Sequence, residues 1–183
     1  SGLAVWPDAA GPRLLWGVAR YENTKAGGVL GGMWRDGAIR SDINIPALTN
    51  GVSVLALADL SGRGDWVIFA GGGARLGAYP GGETSELLRW KDQRWQVDVG
   101  SRGVLQTAGR VGGAIWTDLD GDGRPELVVT TDWGPLRVFQ DRSGGLFDLT
   151  AEWGLSGYTG LWRGLAAGDF DGDGRMDLIA ANW

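Results

Sequence analysis

The residues best suited to chemistry are acids at alternate positions. In "TDLDGDGRPELVV" (117–129) Asp118, Asp120 and Asp122 precede Glu126. In "GDFDGDGRMDLIA" (168–180) Asp169, Asp171 and Asp173 precede Asp177. Like charges this close repel and disfavour a compact state, and a divalent cation held between them removes that cost. An ordinary Asp/Gly-rich hairpin loop with solvated carboxylates explains one such cluster as well. Two near-identical copies favour the metal.

Other chemistries are excluded by composition. The chain has no His and no Cys, so it lacks the usual general base, a thiolate nucleophile, a disulfide framework and the usual zinc ligands. The net charge is −5, much of it in the two Asp clusters, and no basic stripe points to nucleic acid. Apolar runs such as "WVIFA" fall far short of the roughly 18 residues of a membrane span. The opening "SGLAVW" lacks a charged-then-apolar signal, so the segment itself is expected to carry no address. Gly contributes 34 of 183 residues, but 11 Trp and 43% hydrophobic residues argue against disorder and for short strands joined by tight turns.

The elements that position the acids repeat. "LADLSGRGDWVIFAGGG" (57–73), "WTDLDGDGRPELVVTTD" (116–132) and "AGDFDGDGRMDLIAANW" (167–183) share one order: apolar run, Asp, turn residues, acid, β-rich run. Their anchors, Asp59, Asp118 and Asp169, stand roughly fifty to sixty residues apart, a spacing in or just above the range of propeller blades. Around the first acidic loop the chain predicts the strands "GGAIWTDL", "ELVVTTDW", "LRVFQD" and "LFDLTAE". Residues 51–100 predict "SVLALADL", "DWVIFAGG", "ELLRWKD" and "RWQVDV", with "ARLGAYPGG" as an extra loop. The first fifty fit more loosely, as "GLAVW", "RLLWGVAR", "GGVLGGMWR" and "AIRSDINI".

The stretches "DLDGDGRPELVV" and "DFDGDGRMDLIAAN", with "LRVFQDRSGGLFDLTAEWGL" after the first, resemble the FG-GAP or VCBS-type repeats of the integrin-α-like β-propeller family. The resemblance covers about residues 51–183, and weakly 1–50. It implies an all-β fold of four-stranded antiparallel blades: 1–50, 51–110, 111–161 and an incomplete 162–183, about three and a half of the seven usual in such propellers. The segment is then expected to need further blades from its own or another chain, because the last repeat ends after a second strand and leaves an open β edge.

Carried over residue by residue, the family pattern implies that Asp118, Asp120, Asp122, the carbonyl of Arg124 and Glu126 hold one ion. Asp169, Asp171, Asp173, the carbonyl of Arg175 and Asp177 hold a second. Alternate side chains turn into one concavity, and Gly123 and Gly174 permit the sharp turn. Calcium suits this flexible all-oxygen set better than magnesium, which keeps waters and demands octahedral geometry; sodium is a weaker alternative. A cage filled by protein ligands points to a structural ion rather than a catalytic one. An EF-hand is disfavoured, because Val129 and Ala180 stand where its bidentate Glu belongs and β-rich sequence follows. The loop at Asp59 is shorter and carries Ser61 and Arg63 in place of acids, so no metal is expected there, and less still at "PDAAGPR".

Trp66 and Trp116 lie in strand patterns and are expected to pack between blades. Trp133, Trp153 and Trp162 lie near turns, where blade packing competes with a stacking platform for a sugar ring. Tyr158 and Arg163 are candidates for a propeller rim. The leading expectation is a calcium-binding, non-enzymatic binding or scaffold module for a protein or carbohydrate partner. The alternatives are the propeller of a secreted polysaccharide-active hydrolase or lyase, and a lectin. The resemblance implies an extracellular or cell-envelope setting.

Overall fold

The computed structural model describes residues 2–19, 27–41 and 43–183. Its regular structure is almost entirely antiparallel strand. The first sheet runs β1 (Leu3–Asp8), β2 (Gly11–Val18), β3 (Gly28–Arg35) and β4 (Ala38–Arg40), in that spatial order. The second runs β5 (Val52–Asp59), β6 (Trp66–Gly72), β7 (Glu86–Lys91) and β8 (Arg94–Val97) in the same fashion. The third contains β9 (Val111–Thr117), β10 (Glu126–Pro135), β11 (Arg137–Arg142) and β12 (Gly145–Asp148), and is extended by β13 (Thr159–Gly168) and β14 (Asp177–Asn182). β9 and β13 share β10: β9 pairs along Glu126 to Thr131, and β13 takes over from Asp132 to Pro135, with a bulge between Asp132 and Gly134.

The inner strands have no polar face. In β6 every residue after Trp66 is buried, and in β10 Glu126 through Asp132 are buried, because sheets pack against both faces of these strands. Phe69 and Leu87 of the second sheet meet Leu127, Val129 and Phe139 of the third in one apolar cluster, with Leu105 from the connecting segment. Trp116 lies against this cluster, and its indole N–H donates to the Ala56 carbonyl at 3.2 Å. A second cluster joins the first and second sheets around Leu15, Ile68, Leu88 and a triad of edge-to-face indoles, Trp6, Trp90 and Trp95, with centroids 4.5–5.5 Å apart. Trp66 packs against it. Across the second and third sheets, Arg89 of β7 pairs with Asp98 (2.9 Å) and with Asp141 of β11. Burial opposes its charge, but the two carboxylates outweigh that and hold its pKa above the ordinary arginine value.

The expected strands over 51–161 are found with their ends shifted by a few residues. "LFDLTAE" is shorter than expected, because the Asp148 carboxylate accepts the Thr150 N–H at 2.9 Å and turns the chain. The larger departure is "AIRSDINI". Only Ala38–Arg40 is strand, and 43–49 carry no strand as they run into Pro46, which offers no ladder donor. Arg20 and Asp42, at the end of one expected strand and inside another, lie outside the described residues. Among the described residues, no helix is long and apolar enough to cross a membrane.

The link between β8 and β9 depends on close approach at one glycine. Gly100, in the 3-10 turn Val99–Ser101, donates its N–H to Asp98 Oδ1 at 3.2 Å, and a Cβ on it would overlap the Gly144 carbonyl of the β11–β12 turn. Gly100→Ala should therefore cost about 1–3 kcal/mol, since backbone rather than a movable side chain must give way. Denaturant unfolding would read this, and an unchanged midpoint would contradict it.

Candidate metal centre

Each acidic cluster lies in a hairpin loop. The first joins β9 to β10, the second joins β13 to β14, and the shorter Asp59 loop joins β5 to β6. The glycines permit the curl: Gly121, Gly123, Gly172 and Gly174 adopt φ of 78°, 86°, 79° and 85°, a region costly for residues with a Cβ. Backbone N–H groups then fix the carboxylates from below. Asp118 accepts from Gly121 (2.8 Å) and Gly123 (2.9 Å), Asp120 from Asp122 (3.1 Å), and Asp122 from Arg124 (2.7 Å). The second loop reproduces this: Asp169 accepts from Gly172 (2.7 Å), Asp173 (3.1 Å) and Gly174 (3.0 Å), Asp171 from Asp173 (3.1 Å), and Asp173 from Arg175 (2.8 Å).

The structure brings most of the expected ligands together. One oxygen each from Asp118, Asp120 and Asp122 lies within 4.8 Å of the others, and so do oxygens of Asp169, Asp171 and Asp177. Glu126 stands outside the first trio and Asp173 outside the second. Glu126 is fully buried, with Oε2 taking the Leu119 N–H at 3.0 Å and Oε1 at 3.5 Å from Gln140 Nε2. Asp177 takes the equivalent Phe170 N–H at 3.0 Å. Arg124 and Arg175 are exposed and close their loops through the backbone N–H bonds given above. A hollow of about 150 Å³ separates Asp118, Leu119 and Gly121 from Gly174, Arg175 and Met176, so the two loops are neighbours. That adjacency is absent from either motif alone. It follows from β13 pairing with β10, and the repeat spacing was its only trace in the sequence.

The Asp59 loop shows the same turn closed without carboxylate crowding. Asp59 accepts the N–H groups of Ser61 (3.3 Å), Gly64 (2.6 Å) and Asp65 (2.9 Å), while the Asp65 backbone carbonyl takes the Leu60 N–H (3.0 Å) where the longer loops use Glu126 and Asp177. Desolvation raises the Asp59 pKa, but these backbone donors outweigh it and leave it below the ordinary aspartate value. Backbone N–H groups, rather than the exposed Arg63, satisfy this carboxylate.

Glu126 is the electrostatic outlier. Burial first, and then repulsion from Asp120 and Asp122, push its pKa above the ordinary glutamate value, only partly offset by the Leu119 N–H and Gln140. Its folded pKa is raised, so in protein without a cation the folded state binds the proton more tightly than the unfolded chain. That contribution is present below the ordinary glutamate pKa and is lost as pH rises to the folded value. Glu126→Gln keeps an acceptor for Leu119 and removes the charge. In chelator at neutral pH it should raise the unfolding midpoint, with the gain shrinking as pH falls through that window; in calcium it should lower the midpoint. A change of the same sign in both media would contradict the role assigned to the carboxylate.

Antiparallel sheets in series, the last of them carrying two near-identical acidic hairpins, define an all-β repeat protein. Residues 118–180, from the first aspartate of one loop into the strand after the other, match the FG-GAP-like repeat family, which supports an FG-GAP-type repeat over that span. The resemblance read from "DLDGDGRPELVV" and "DFDGDGRMDLIAAN" is borne out there; residues 51–117 lie outside the matched span. No curated protein matches the chain.

Proposed function

We propose that the chain is a calcium-stabilised β-propeller segment acting as a non-enzymatic binding or scaffold module. The three sheets would be blades, and β13 with β14 the inner half of a fourth. The observation that carries this reading is the pair of oxygen trios, Asp118, Asp120 and Asp122 and Asp169, Asp171 and Asp177, on backbone-fixed loops of closely similar construction. The carboxylates are hard oxygen donors held close by N–H bonds that leave their other lone pairs free, which suits calcium. On ion binding, Glu126 and Asp173 complete the sets together with the carbonyls of Arg124 and Arg175. The ion serves the frame, and loops away from it meet a protein or glycan partner. Binding rather than turnover fits the remaining acids, many of which are committed to guanidinium partners: Asp8 to Arg13, Asp98 and Asp141 to Arg89, Asp148 to Arg137. An extracellular or cell-envelope setting supplies the calcium such open loops need.

Hydrogen exchange tests this reading. Calcium should slow exchange selectively at 118–126 and 169–177, magnesium should do so less, and 59–65 should not respond. Equal protection of all three loops, or none, would contradict it.

A further inference from the structure

At the end of β10 opposite the acidic loop the chain holds an exposed indole in a costly backbone conformation. Trp133 has φ of 61°, a left-handed value rare for a bulky residue, and the residue is 60% exposed. The backbone conformation belongs to the bulge between Asp132 and Gly134, but a bulge does not require a large side chain, so the fold does not account for an exposed indole there. The ring is nonetheless fixed, because its N–H donates to the Tyr79 hydroxyl at 3.0 Å, and Tyr79, also 60% exposed, comes from the extra loop between β6 and β7. Strain retained without burial is a pointer to function.

Trp133 borders a cleft of about 520 Å³, within the roughly 300–1,000 Å³ of small-ligand sites, whose walls include Asp132, Arg137, Asp148 and Ser156. The Asp132 side chain is fully buried, with Oδ2 receiving both Arg110 and Arg163, so its charge is compensated from behind. Arg137 is held by Asp148 and by the Thr107 carbonyl. The lining itself carries two carboxylates, Asp132 and Asp148, and one guanidinium, Arg137, all engaged in ion pairs, so it offers fixed donors and acceptors and no unpaired cation for an acidic ligand. An exposed, immobilised aromatic face beside such walls matches a pyranose, which presents an apolar C–H face to a ring and hydroxyls to its sides.

We propose that this cleft is a binding site for a neutral oligosaccharide, with Trp133 as the stacking platform and Tyr79 as the residue that positions it. The proposal names the ligand class of the binding module inferred above and does not depend on the cation.

The test is an array of neutral hexose and N-acetylhexosamine oligosaccharides beside oligogalacturonate and sulfated chains, followed by fluorescence titration with the strongest neutral binder. Trp133→Gly is the informative variant, because glycine accepts the left-handed φ and so should leave the unfolding midpoint unchanged or raised. It should weaken binding by about tenfold or more, the order of one lost stacking contact, and Tyr79→Phe should weaken it less. Binding should persist in chelator under conditions where the protein stays folded. An array without neutral binders, preference for the acidic chains, or an unchanged affinity in Trp133→Gly would overturn the proposal. Hydrogen exchange at 118–126 and 169–177 reports on the metal separately, so failure of one reading leaves the other measurable.

Discussion

A protein carrying Asp120→Ala together with Asp171→Ala is expected to lose most of its calcium-dependent stability while keeping its fold. Both side chains are exposed and belong to the oxygen trios, so their removal leaves no cavity in the core. For one site that binds only the native state, calcium at about a hundred times its dissociation constant adds roughly 2.7 kcal/mol, and two independent sites double that. In a protein of this size the corresponding shift is about 5–11 °C per site. Thermal unfolding in calcium, magnesium and chelator reads the effect. The double variant should melt at nearly the same temperature in all three media, close to or above the unsubstituted protein in chelator, because two repelling charges have been removed. Asp59→Ala should leave the calcium-dependent gain intact, since backbone N–H groups already satisfy that carboxylate. A calcium response that survives in the double variant would mean that the ion binds elsewhere.

Phe139→Ala should have the largest effect of any single core substitution considered, about 3–5 kcal/mol. Phe139 is fully buried on β11, where it packs with Phe69, Leu87, Leu127 and Val129 between the second and third sheets. Its neighbours belong to paired strands on both sides, so the frame has little freedom to collapse into the vacated space. The loss should appear equally with and without calcium, which separates packing from ion binding. A midpoint lowered only in chelator would show that the core and the loops are coupled more tightly than the packing implies.

Strands between residues 51 and 148 were legible because short apolar runs there are bounded by Gly, Pro and Asp turns, so local pattern and final pairing agree. The hairpin loops were legible for a similar reason: Asp118 to Glu126 lie on one continuous stretch, and glycine at the turn positions leaves few alternatives. Harder to read were features that depend on distant pairing. β13 joins the third sheet because the bulge at Trp133 ends the β9 ladder and frees the last residues of β10, and nothing in "TTDWGP" announces the switch. The indole triad joins Trp6 to Trp90 and Trp95 across two sheets, a contact without a local signature. Glu126 departs subtly from its expected place: spacing puts it ninth in the loop, but burial and the Leu119 N–H hold it apart from the trio. Tertiary context decides which of these acids face the concavity.

The most direct test of the central claim is the number of calcium ions bound, measured by isothermal titration of the unsubstituted protein, the two single alanine variants and the double variant. Two ions should bind to the unsubstituted chain, one to Asp120→Ala, one to Asp171→Ala and none to the double variant. An unsubstituted protein that binds no calcium, or a double variant that still binds two ions, would contradict the metal assignment and leave the crowded aspartates as solvated turns.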